Sequence, residues 1–178
     1  MPDHTPRVRS ATKGGRTVAM ADPQLSLAEL AAEEEELRLP GFTNDDAWTL
    51  GSDLVATARR EGAPVAIGIM RNGQRLFHAA LPGSSPDNDA WIERKARVVG
   101  RFGHSSLYMG QLARDAGSTV EEMFGLDPQL FAAHGGAFPV LVRSVGPVGV
   151  VVVSGLPQVD DHRMVVGALR AHLARAGG

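Results

Sequence analysis

Two hydrophobic spacings follow each other along the chain. From Asp22, which can cap a helix with Pro23 in its first turn, Leu27, Leu30 and Leu37 recur at near-helical intervals. Leu39-Pro40-Gly41-Phe42 ends that helix, and the run Glu33 to Glu36 is expected to be its solvated face. Thr43 caps a second helix with Asp45 and Asp46 in its first turn, and Gly62 stops it. The spacing then shortens. Val65 to Met70 reads as a buried strand, Asn72-Gly73 as a hairpin turn, and Gln74 to Leu81 as the return strand.

After the loop Pro82 to Pro86, Asn88 or Asp87 is expected to cap a helix reaching about Phe102. A further helix spans Ser105 to Ala116, and short helical turns lie at Thr119–Phe124 and Asp127–Ala133. Phe138 to Val145 and Val148 to Val153 form a second strand pair, joined by a turn at Gly146-Pro147. The second of these strands is apolar on both faces, which predicts a central place in a sheet. A last helix runs from about Gln158 to Ala176. Both pairs are hairpins, so the fold class is α+β: a mainly antiparallel sheet with helices on its faces. Residues 1–22 are expected to be a disordered extension, poor in large apolar groups, and 23–178 a single domain.

Composition narrows the function. A net charge of -2 from 18 basic and 20 acidic side chains does not suit a nucleic-acid binder. The absence of cysteine excludes disulfides, thiolate catalysis and thiolate metal sites. No apolar run approaches the roughly 20 residues of a membrane span. A cytoplasmic protein without nucleic-acid or membrane partners is expected, and no metal, since His-Glu-x-x-His is missing.

Candidate chemistry gathers at the turns of the last third. His162 shares the apolar face of Val165 and Val166, so it points into protein, with Asp160 and Asp161 in the same first turn. His162 with Asp161 is therefore the candidate catalytic pair. Gly135 and Gly136, beside His134, allow a turn whose N–H groups can cradle an anion. In the helix before Phe102, Arg94, Arg97 and Arg101 form a basic stripe. Lys95 lies on the neighbouring apolar stripe, its ammonium expected near the rim. Lys95, Arg94, His134, Gly135, Gly136, Ser154 and His162 are the candidate ligand contacts.

Four blocks carry a resemblance: Asp87-Asn88-x-x-Trp91-Ile92-x-Arg94-Lys95, Arg101-Phe102-x-x-Ser105-Ser106, His134-Gly135-Gly136-x-Phe138-Pro139, and Val153-Ser154-Gly155-Leu156-Pro157-Gln158-x-x-Asp161-His162. Over roughly residues 24–175 the chain resembles the haem-degrading-domain superfamily of HbpS-like and GlcG-like proteins, in its small uncharacterised-family branch. The resemblance implies a profilin-like three-layer fold with a five-stranded antiparallel sheet, and dimers that assemble further. It also implies haem as a possible cofactor, held non-covalently because Cys-x-x-Cys-His is absent. His78, His104, His134, His162, Tyr108 and Met109 are the available axial donors.

Three readings follow. The first is an oligomeric module that binds haem or a small anionic ligand. The second is an enzyme on a small carboxylate, with His162 as base and the glycine turn and Lys95 as anion site. The third is a homo-oligomeric scaffold whose marked blocks are subunit contacts. A homo-oligomer is expected because the helix before Phe102 has two apolar stripes to cover.

Overall fold

The computed structural model describes residues 25–176. Two helices come first, α1 (Leu27–Glu36) and α2 (Asn44–Glu61), then the hairpin β1 (Ala66–Arg71) and β2 (Gln74–Ala80). Three helices follow, α3 (Pro86–Phe102), α4 (Ser106–Asp115) and α5 (Val120–Phe124). The hairpin β3 (Ala137–Val142) and β4 (Gly146–Ser154) and the helix α6 (Gln158–Ala176) complete the order. The described residues thus form an α+β domain; Asp22 and the segment 1–22 lie outside them.

The sheet is antiparallel throughout, in the order β2-β1-β4-β3. β4 lies inside it, as its doubly apolar sequence requires. The sheet has four strands where five were expected. Beyond β3 only Leu39 pairs, through one parallel bridge to Val142, with its N–H donating to Leu141 and its carbonyl accepting from Arg143. Pro40 and Gly41 stop that contact from growing into a fifth strand.

The two faces alternate along each strand. Ile67, Ile69, Val151, Val153, Phe138 and Val140 join the main core, which includes residues of α2 and α6. Ala66, Val150, Val152 and Ala137 face Ile92 and Val99 of α3. The outer stripe of α3, Val98 with Phe102, is covered by α4 and α5 within the chain. That removes α3 as a reason for a second subunit.

Several boundaries differ from expectation for local reasons. α1 starts at Leu27, because Ser26 and Glu29 form a reciprocal capping box. α3 starts at Pro86, capped by Ser85 rather than Asp87 or Asn88; proline suits the first helical position, and Asn88 reaches back to the Ser85 N–H. Gly146 and Pro147 belong to β4, and the hairpin turns instead at Arg143–Val145, with Ser144 at φ 62°. Asp127–Ala133 holds the expected helical turn, closed by the Leu130 and Phe131 N–H groups donating to the Asp127 carbonyl. Asn72 and Gly73, at φ 51° and 80°, make the expected tight turn.

Candidate functional site

A hollow of about 290 Å³ opens where the ends of β4 and α6 meet the middle of α3 and the segment before β3. Lys95, His134, Gly135, Ser154 and Asp161 line it, and Gly136 sits against Lys95 and Asp161. Six of the candidate residues therefore converge, although they come from four separate stretches of chain.

Lys95 is not at a rim. It is 2% exposed, and its ammonium donates to the carbonyls of Gly135 (2.9 Å) and Val153 (2.6 Å) and to Asp161 Oδ2 (3.2 Å). Three N–H groups meet three acceptors, so the ammonium has no donor left for a ligand. Asp161 also accepts the N–H groups of Gly155 and Leu156. Burial pulls the Lys95 ammonium down and pushes the Asp161 carboxyl up, each opposed by the partner's charge. The pair ties α3 to the start of α6 and to both strand ends. Gly136, at φ 116°, admits this approach: a Cβ there would lie 2.6 Å from Lys95 Nζ.

His162 lies elsewhere. It is 1% exposed, its Nε2 bonds to Glu33 Oε2 of α1 at 2.8 Å, and its Nδ1 is buried without a partner. It does not line the hollow, so the arrangement of His162 as base above the Lys95 and glycine anion site is not formed. The carboxylate beside it is Glu33, not Asp161. The acidic run of α1 is correspondingly more than a solvated face. Glu33 holds His162, Glu34 holds His104 and the Ser105 N–H, and Glu36 holds Arg170.

Arg94 borders the site from outside, its guanidinium 4.4 Å above the Trp91 ring and donating to the Pro128 carbonyl. Arg97 likewise donates to the Leu130 carbonyl, so the basic stripe clips the segment before His134 onto α3. Trp91 donates to Asp87, and its ring and that of His134 stand T-shaped, with centroids 5.1 Å apart at 86°. Gln158 was not foreseen; its side-chain oxygen accepts the Gly135 N–H.

His134 differs from the other described histidines. His78, His104 and His162 pair with Asp89, Glu34 and Glu33, and His172 faces Asp46. Neither nitrogen of His134 bonds to another described residue, and the ring is exposed at the mouth of the hollow. The protein packed around its inner side, then the charges of Lys95, Arg94 and Arg114, lower its pKa from 6.5, with Glu121 opposing. The folded state therefore prefers neutral imidazole. Stability is kept above the ordinary histidine value and lost as the pH falls through it toward the lower folded value. Between pH 7.5 and 5 the wild type should lose more of its urea midpoint than His134→Gln. Equal losses would show that His134 titrates as it does in the unfolded chain.

The family described as haem degrading protein HbpS-like matches residues 42–170. The chain belongs to this family. A UPF0303 protein of Streptomyces coelicolor is 62% identical over 144 residues, covering 81% of this chain and 91% of that one. The crystal structure of the Ybr137w protein superposes with a TM-score of 0.80 at 38% identity, covering 87% of this chain and 91% of that chain. A PduOC:heme complex shares the fold, with a TM-score of 0.62 at 17% identity over 74% of this chain and 94% of that chain. The HbpS-like match begins after α1, so the Glu33–His162 contact joins an element outside the matched segment to one within it. No described helix is long and apolar enough to cross a membrane. Among the described residues no His, Asp and Glu cluster could hold a metal ion.

Proposed function

We propose that this protein is a binding module that takes haem, or a smaller anionic ligand, at the mouth of the hollow, with His134 as the donor. The observation that carries the reading is the free imidazole. Of the described histidines it alone faces no carboxylate; it is exposed, and its own pKa is lowered toward the neutral form that ligates a metal. Family membership and the haem-bound PduOC relative favour haem.

Size limits how haem is held. At about 290 Å³ the hollow falls just below the size of pockets that enclose a drug-sized molecule, roughly 300–1,000 Å³. It suits a carboxylate-sized group or one edge of a macrocycle. His134 would supply a ligating nitrogen and Trp91 an aromatic neighbour, while the Lys95–Asp161 pair fixes the backbone of the His134 segment. Haem bound there would bring its own redox chemistry.

A homo-oligomer remains part of the reading, and Trp48, 66% exposed beside Phe77, offers apolar surface for it. Histidine-ring NMR of 15N-labelled protein tests the donor directly. On adding hemin, the His134 ring signals should broaden first and most. First broadening at His78 or His104, or none at any ring, would refute the assignment.

A further inference from the structure

A second hollow, of about 160 Å³, adjoins the first across His134. Arg114, Ser118, Thr119 and Glu121 line it, and His134 belongs to the linings of both. Gly110 makes the approach possible: a Cβ there would sit 2.2 Å from the Ala133 carbonyl oxygen, so only glycine lets α4 come this close to the His134 segment.

Arg114 is an unusual cation for its position. Its Nε and Nη2 both donate to the side-chain oxygen of Gln111, a neutral acceptor. The neighbouring carboxylate of Asp115 is engaged by Gln111 Nε2. No ion pair to Arg114 forms among the described residues; the residue is exposed, and the protein packed on its inner side draws its pKa below the ordinary arginine value, with Asp115 opposing. A guanidinium whose side-chain partner is neutral gains more from an arriving carboxylate than a salt-bridged one does.

We propose that this second hollow is an anion subsite of the same ligand, in which Arg114 receives a carboxylate arm that reaches past His134. The inference rests on His134 as the donor of the first site and adds the class of ligand: a body that contacts His134 and an acidic arm. In haem that arm is a propionate. Glu121 shares the hollow and repels such an arm, so it weakens the site it borders.

Two titrations test this on the full chain. In the first, propionate is the probe and the Arg114 Nε–H signal is read by NMR. Wild type should show a saturable shift, Glu121→Gln a tighter one, and Arg114→Gln with its signal removed should lose the accompanying shift at His134. No saturable response at Arg114 overturns the subsite, whatever hemin does. In the second, hemin is compared with hemin dimethyl ester, whose arms carry no charge. Hemin should bind wild type at least several-fold more tightly than the ester, and Arg114→Gln should erase the difference. Equal binding of both by wild type overturns the subsite and leaves His134 as the haem donor. A propionate response at Arg114 without hemin binding supports the subsite and removes the haem reading.

Discussion

Asp161→Ala is expected to destabilise the protein by about 3–5 kcal/mol, the range for breaking a buried ion pair from one side. The ammonium of Lys95, 2% exposed in the intact protein, would be left with two carbonyls and no counter-charge. The N–H groups of Gly155 and Leu156 would lose their acceptor as well. Urea unfolding followed by circular dichroism measures the loss. Adding Lys95→Met to the same chain should recover part of it, because the stranded charge is then gone. A loss below about 1 kcal/mol would mean that water reaches Lys95 and that the pair is not buried in solution. If the single variant does not fold, partial rescue by the double variant still decides the matter.

Gly136→Ala should be nearly as damaging. The residue has φ 116°, and its Cβ would lie 2.4 Å from the Val153 carbonyl oxygen and 2.6 Å from Lys95 Nζ. The Gly136 carbonyl also accepts the Val153 N–H at 2.8 Å, so the backbone cannot swing away without losing that bond. Strain at positive φ and displacement of the ammonium together are expected to remove about 3 kcal/mol or more. The check is the same urea transition. An unchanged midpoint would show that the segment before β3 yields freely, and with it the position of His134.

Much of the fold was legible because its signals are local. Asn72-Gly73 announces a turn by its own backbone preferences, Thr43 and Asp46 cap α2 within four residues, and the valines of β4 state their own burial. Where local signals competed, proximity alone did not decide. Ser85, Asp87 and Asn88 all cap well, and Pro86 settled the start of α3. Ser144 took the left-handed turn position although Gly146 was two residues away.

The site was legible as residues but not as partnerships. Lys95 and Asp161 lie 66 positions apart, and Glu33 and His162 lie 129 apart; helical periodicity says which face a side chain occupies, not what it meets there. Reading Lys95 as a rim cation and His162 as the poised base followed from that gap. His134 was ambiguous in sequence for the opposite reason: what distinguishes it is that every other described histidine faces a carboxylate.

The most direct test is a hemin titration followed at the Soret band, with wild type, His134→Ala and His78→Ala compared. Wild type and His78→Ala should give the same saturable shift, and His134→Ala should lose it. A saturable shift that survives in His134→Ala, or an unsaturable response in all three, would contradict a donor site at His134.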